Sequence, residues 1–309
     1  MSQLVDTARN VYLRVKGFPK PPLVLLGHTH WVWSVAFLPD GQEVISGSAD
    51  GSARRWRVED GCEVGRALMW EEGSVLAVDA SSDGNWIATA CQEKNITIWN
   101  AATCDKVLVL KGHTDRVRSL AFSPDSARLV SGSRDKTLIV WSTTTGERLL
   151  GPLIGHTNTV GCACFSPNGD KIASCDSIDI RIWNSHSGDL VIRPIKVSVC
   201  VLTWTPDGQQ LIAGIVDGSI KCISSSTGSL LVDWKAHTDI VHSIAVSPNG
   251  KFVASASVDK TVRLWDMTTS TQIGPPLQCD DNVYSVAISP AGNYLVSGGR
   301  DCKVRIWNL

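Results

Sequence analysis

Apolar residues in this chain come in short runs bounded by turn residues. VRSLAFSP (117–124), RLVSGS (128–133) and TLIVW (137–141) are typical, rich in β-branched side chains and flanked by Ser, Pro, Asp or Gly. No stretch sustains the 3.6-residue period of an amphipathic helix, so the runs read as short β-strands.

The runs themselves repeat. Segments ending at Trp56, Trp99, Trp141, Trp183, Ile223, Trp265 and Trp307 align, with successive separations of 40 to 43 residues. Turns of the type Pro39-Asp40-Gly41 recur through Pro124-Asp125, Pro167-Asn168-Gly169, Pro206-Asp207-Gly208, Pro248-Asn249-Gly250 and Pro290-Ala291-Gly292. A third ladder, Gly27-His28, Gly112-His113, Gly155-His156 and Ala236-His237, places each histidine 11 residues before its turn proline. Each unit predicts four antiparallel strands. One such sheet cannot bury both faces alone, whereas units stacked into a closed ring can.

These residues resemble the WD40-repeat family, whose signature is a Gly-His dipeptide, a Ser-Pro-Asp-Gly-type turn and a terminal Trp-Asp at this period. Trp265-Asp266 is the only literal Trp-Asp among the aligned ends. The resemblance covers residues 23–309 and implies an all-β fold: one seven-bladed propeller with four antiparallel strands per blade. The chain ends after the third strand of its last unit, so Leu23–Leu26 is expected to supply the missing outer strand and close the ring. Residues 1–22 form an N-terminal extension, with a short helix expected over Ser2–Lys16 and a proline cluster (Pro19, Pro21, Pro22) leading into the strand. The repeats also resemble those of fungal and bacterial signalling proteins, which raises a sensor domain of an immune-type system as an alternative.

Composition narrows the function. Lys+Arg 29 against Asp+Glu 30 lacks the basic excess of a nucleic-acid or anionic-membrane binder. No apolar run is long enough for a membrane helix, and the charged start is unlike a signal peptide. The ten cysteines are scattered, mostly within apolar runs, which points to free thiols in the cytosol or the nucleus. Met1 and the full set of seven units lead us to expect a self-sufficient chain that is a monomer by itself.

Three units carry His, Ser, Asp and Trp at one spacing: His28, Ser46, Asp50, Trp56; His113, Ser131, Asp135, Trp141; His237, Ser255, Asp259, Trp265. A Ser/His/Asp set suggests a hydrolase, but one active site needs one triad and no Gly-x-Ser-x-Gly elbow is present. The resemblance implies instead a buried relay from Trp through Ser and His to Asp. The other units depart from it. Unit 2 offers Glu71, Thr89, Glu93 and Trp99, and unit 4 keeps His156, Ser174 and Trp183 but is short before its Trp. Unit 5 retains only Asp217, and unit 7 has Cys279 for His. Cys162-x-Cys164 with Cys175 lacks zinc spacing, so neither metal nor cofactor is expected. Arg55 stands where sister units place Ile98, Val140, Ile182, Leu264 and Ile306, and a snorkelling side chain at the rim is the expectation.

In the family, residues just after the Gly-His turn face the top of the central channel and hold partners. Here two clusters are expected. Trp31, Trp33, His242 and Tyr284 come from the adjacent units 6, 7 and 1. Arg116 and Arg118 come from unit 3, joined by Arg134 and Lys136, with the ring mouth separating the two groups. Trp, Tyr and Arg dominate interface hot spots. The chain therefore reads as a non-enzymatic scaffold binding a protein or peptide with acidic or phosphorylated residues. A small-molecule site in the channel is the less favoured reading.

Overall fold

The computed structural model describes residues 21–69 and 73–309. It contains seven four-stranded sheets, each pairing antiparallel throughout. The innermost strand of each sheet packs on that of the next, and the last returns to the first. The fold is thus an all-β, seven-bladed propeller. The helix expected near the N-terminus, and Glu71 at the histidine position of unit 2, lie outside the described residues.

The apolar core is divided among the seams. Seven buried clusters each draw on two consecutive blades. One joins Ile96, Ile98 and Leu110 of blade 2 to Val117, Leu129 and Trp141 of blade 3. Small residues on the second strands let the blades approach: a Cβ built on Gly132 would stand 2.7 Å from Val160 of the next blade. Closure uses Leu23–Leu25, which pair with the last strand at Leu23↔Ile306, Val24↔Arg305 and Leu25↔Val304. Leu26, expected within this strand, falls beyond it and is 71% exposed. Leu25, Val304 and Ile306 then join Val32, Val44 and Trp56 in the seam between blades 7 and 1.

Within blades 1, 3 and 6 the Trp–Ser–His–Asp side chains form a continuous chain of hydrogen bonds. In blade 3 the Trp141 indole N–H donates to Ser131 Oγ at 2.8 Å. Ser131 Oγ lies 2.8 Å from His113 Nε2, and His113 Nδ1 lies 2.8 Å from Asp135 Oδ2. Blade 1 repeats this through Trp56, Ser46, His28 and Asp50 at 2.7, 2.8 and 2.9 Å. Blade 6 does so through Trp265, Ser255, His237 and Asp259 at 2.9, 2.7 and 2.8 Å. Burial raises the pKa of the Asp135 carboxyl, but hydrogen bonds from His113, Thr137 and the Thr114 amide outweigh it and hold the group well below the ordinary carboxylate range.

Blade 4 shows what its missing residue costs. Trp183 and His156 still meet Ser174 at 2.8 and 2.7 Å. His156 Nδ1, however, stands between two carboxylates, 3.3 Å from Asp176 and 3.4 Å from Asp179. In blade 7, Cys279 replaces the histidine, and Asp301 instead meets the Arg305 guanidinium at 2.6 Å. Arg55 corrects the sequence expectation. It is 9% exposed rather than snorkelling, held by both Nε and Nη2 on Glu43 at 2.9 and 2.6 Å and by Nη1 on the Ala101 carbonyl of the next blade. Glu43 lies across the strand pair, so the carboxylate a buried arginine requires was supplied from within the same blade.

A second set of polar links, not anticipated from the sequence, joins blade to blade around the channel. Ser34 Oγ accepts from the Val78 amide at 3.1 Å, Ser119 from Ala163 at 2.9 Å, Ser243 from Val286 at 3.1 Å and Ser285 from Val35 at 3.0 Å. Blade 2 has Ala77 in this column and bridges onward through Asp79, whose Oδ2 accepts from the Phe122 amide at 2.8 Å. Blade 4 uses Cys162, whose thiol faces the Leu202 carbonyl at 3.3 Å. Burial pushes the Asp79 carboxyl up to about 6, against the pull of the Phe122 and Ala80 amides.

Three outcomes are expected. Removing residues 1–26 strips blade 7 of its outer strand and leaves an open edge that templates aggregation, while removing 1–20 is much milder; light scattering and thermal melts of the two truncations compare them. His113→Ala leaves Ser131 and Asp135 poorly paired and destabilises the fold by about 1–3 kcal/mol; an unchanged melting midpoint would count against the relay. Asp79→Asn keeps the acceptor for Phe122 but removes the ionisable group. A carboxyl whose folded pKa is raised destabilises the fold as pH climbs from about 4 through its folded value. The midpoint gain of Asp79→Asn over wild type should therefore be larger at neutral pH than at mildly acid pH. The relay carboxylates act in the opposite sense, contributing fully at neutral pH and losing their contribution only as pH falls below about 4.

Candidate functional site

The inner strands and the turns leading into them place the top-face side chains. Each inner strand begins just after the turn that follows its relay histidine, so rigid anchoring of that turn fixes what comes next. In blade 1 the Thr29 amide donates to Asp50 Oδ2 at 3.0 Å. In blade 3 the Thr114 amide donates to Asp135 Oδ2 at 2.9 Å. Trp31 and Trp33, and Arg116 and Arg118, follow these anchored turns.

The aromatic cluster forms as one body. Trp33 stacks on Tyr284 with ring centroids 4.7 Å apart and planes 20° from parallel. Trp31 meets Trp33 edge-on at 5.4 Å and lies 6.1 Å from Tyr284. His242 closes the arc 5.0 Å from Tyr284, with its Nδ1 3.2 Å from the Tyr284 carbonyl. Burial lowers the His242 pKa, and the nearby Arg118 charge lowers it further. All four rings are half-buried.

The basic group does not stand apart, as the sequence reading had it. Arg118 reaches across the channel mouth and sets its guanidinium over the Trp33 ring, 5.7 Å from the centroid. A long side chain on an inner strand spans the narrow mouth, and the electron-rich ring face attracts it. Burial lowers the Arg118 pKa, and the charges of Arg116 and Arg134 add to that lowering. Among the described residues no carboxylate comes within ion-pair reach of Arg118. Arg134 is exposed and lies 3.8 Å from Asp115, so it contributes less free charge than its position in the sequence suggests. Lys136 is exposed beside it.

Below the mouth the channel holds a cavity of about 380 Å³ whose lining includes Trp33, Arg118, His242 and Tyr284, and on the far wall Cys162 and Cys200. One member of the mouth went unnoticed in the sequence: Arg300, whose guanidinium sits 5.2 Å from the Trp31 centroid. It occupies the column of Arg134, between the small residue and the aspartate of its turn, and that alignment was the signal for it.

The triads are not exposed to this cavity. Ser46, Ser131 and Ser255 are each 0% exposed, and each accepts its tryptophan N–H. A buried hydroxyl already engaged on both sides cannot reach a substrate. Among the described residues, His156, Asp176 and Asp179 lie close enough together to suggest a metal. Their oxygens are taken, however: Asp176 Oδ2 accepts the Thr157 and Asn158 amides at 3.1 and 3.0 Å. Asp179 is paired with Arg181 and Lys196 at 3.0 and 2.8 Å. The donors already bound to both carboxylates argue against a cation at this position.

Known proteins give the same picture. Residues 74–226 match the family model described as IFT122 first beta-propeller, and residues 19–57, 228–266 and 273–308 match that of the WD domain, G-beta repeat. The chain is similar to the small ribosomal subunit protein RACK1y of Oryza sativa subsp. japonica, 29% identical over 64% of this chain and 75% of that protein. It is similar to nuclear distribution protein PAC1-2 of Uncinocarpus reesii, 28% identical over 62% of this chain and 49% of that protein. It is also similar to the serine-threonine kinase receptor-associated protein of Gallus gallus, 28% identical over 62% of this chain and 55% of that protein. The match thus spans only about half the length of the latter two relatives. With the repeat model matched in three units, a propeller model matched over 74–226 and seven blades in place, the chain belongs to the WD40-repeat family.

Proposed function

We propose that this propeller is a non-enzymatic scaffold that docks a protein or peptide on its top face, with an acidic or phosphorylated side chain of the partner received at Arg118. The single observation behind this reading is that guanidinium: half-buried, with no carboxylate in ion-pair reach among the described residues, and laid on the face of Trp33. A partly desolvated cation with two like charges nearby gains from an arriving anion, and a planar guanidinium meets a carboxylate or phosphate through paired hydrogen bonds. The stacked Trp33 and Tyr284 rings provide apolar contact beside it, and their mutual packing means that little side-chain freedom is lost on docking. The names of the relatives, a ribosomal subunit protein and a receptor-associated protein, are those of components of larger assemblies. Ten free cysteines suit a reducing compartment, the cytosol or the nucleus.

The bottom of the ring offers less. Its turns repeat the same few residues and spend their polar groups internally: Asp125 Oδ1 accepts from Ser123 Oγ and from the Ala127 amide. The test is a peptide library carrying acidic, phosphorylated and neutral members, screened against the intact protein and followed by calorimetry. Trp33→Ala should cost the selected peptide about 2 kcal/mol or more, and an exposed Arg134→Ala less. Arg118→Ala should abolish the preference for acidic or phosphorylated members. Gln209→Ala, at an exposed bottom turn, serves as the control. Full affinity in both Trp33→Ala and Arg118→Ala, with loss in Gln209→Ala, would overturn the assignment.

A further inference from the structure

The channel wall opposite the aromatic arc is built differently from the rest. Blade 4 presents Cys162 at the column where blades 1, 3, 6 and 7 present Ser34, Ser119, Ser243 and Ser285. Cys162 is half-buried and lines the channel cavity, the route by which a small solute would meet it. Cys175 lies directly across from it on the neighbouring antiparallel strand and is 0% exposed. Cys164 stands two residues along the same strand. Three thiols therefore share one patch of sheet, and only one of the oxidisable pairs has good geometry. Directly opposed residues on antiparallel strands have Cα atoms about 4.5–5.5 Å apart, within the span a disulfide bridges, whereas i and i+2 on one strand stand about 6.6 Å apart, near its limit.

We propose that Cys162 is an oxidation site for hydrogen peroxide or another small hydroperoxide, resolved by Cys175 into a cross-strand disulfide. In the first step the Cys162 thiolate attacks one peroxide oxygen and the O–O bond breaks. Sulfur is oxidised to a sulfenic acid, the peroxide is reduced, and the displaced hydroxide, or the alkoxide of an organic hydroperoxide, takes up a proton and leaves as water or an alcohol. In the second step the Cys175 sulfur attacks Cys162 Sγ, the S–O bond breaks, the S–S bond forms, and the Cys175 proton leaves with the hydroxyl as water. The local chemistry orders the partners. Cys164 and Cys175 donate toward the Cys162 sulfur and hold its pKa down, while making that donation, together with burial, pushes their own up. Cys162 is also the one of the three that lines the cavity, whereas Cys175 is fully buried, and its thiolate is the nucleophile.

Oxidation has a structural consequence. The Cys162 thiol supplies the side-chain link to the Leu202 carbonyl of blade 5, and sulfur in a disulfide has no proton to donate. The link is withdrawn at a seam flanked by the blade that retains least of the relay.

The intact protein is exposed to hydrogen peroxide, its remaining thiols are blocked by alkylation, and it is digested without reductant for mass spectrometry. The expected product is a Cys162–Cys175-linked peptide that is lost on dithiothreitol treatment. Cys175→Ser should lose the linked peptide and gain a dimedone adduct at Cys162. Cys162→Ser, which installs the residue found in four sister blades, should keep its melting midpoint and leave Cys175 reduced. Oxidation confined to the exposed Cys62 or to Cys302 while Cys162 still alkylates, or a disulfide from Cys162 to Cys164 or Cys200, would overturn the proposal.

Discussion

Everything in this molecule follows from the two apolar faces of a four-stranded sheet. Neither face can be left to water, so each blade needs a neighbour on both sides, and only a closed ring gives every blade two. The seven seam clusters are the direct expression of this, since each draws its members from two consecutive blades. Closure is therefore not an embellishment at the chain's end. The three residues Leu23–Leu25 complete a blade whose other strands are Val283–Ile288, Tyr294–Gly299 and Val304–Asn308, and they make the last seam equivalent to the others.

Stacking alone sets neither the spacing nor the tilt of the blades, and polar links supply that. In blades 1, 3 and 6 the relay fixes the blade internally by tying a buried tryptophan to the turn that leads into the innermost strand. The inner-strand serines then tie that strand to the next blade. The two systems meet at the start of the inner strand, and this is where the candidate binding side chains project. Trp31, Trp33, Arg116 and Arg118 thus stand on backbone held from both directions, in blades with intact relays and intact serine links. Blade 5, with neither relay nor serine, contributes to the channel Val199, Cys200 and Val201, which have little to grip with.

The fold was legible because its determinants repeat: one tryptophan or one turn would mean little, but six tryptophans and Ile223 in register leave few architectures. The relay partners were legible for the same reason. What the sequence could not disclose was any contact whose partner comes from a non-repeating position. Arg55 looked like a charge without a home because Glu43 breaks no pattern on its own. Arg118 seemed to belong to a separate basic corner because alignment gives the blade of a side chain but not how far it crosses the channel. The split carboxylates around His156 were hidden by the very deletion that caused them. The serine links were visible as a column, but a serine in a strand carries no signal of which blade its hydroxyl addresses.

The two halves of the channel mouth are consequently unlike, and the difference has a physical logic. Blades 6, 7 and 1 present stacked rings whose geometry is fixed by mutual packing, and Arg118 from blade 3 is drawn onto them because the aromatic face is the best counter-partner available to a cation without a carboxylate. A ring with one preorganised, positively charged wall does not need the opposite wall to bind anything. That wall, blades 4 and 5, is where the relay has drifted, where the serine column turns to Cys162 and Val201, and where thiols replace hydroxyls. In a seven-membered ring the seam between blades 4 and 5 lies across from blade 1. The side chains proposed to meet a partner and the thiols proposed to meet an oxidant thus line opposite walls of one cavity, to which Trp33 and Cys162 both contribute.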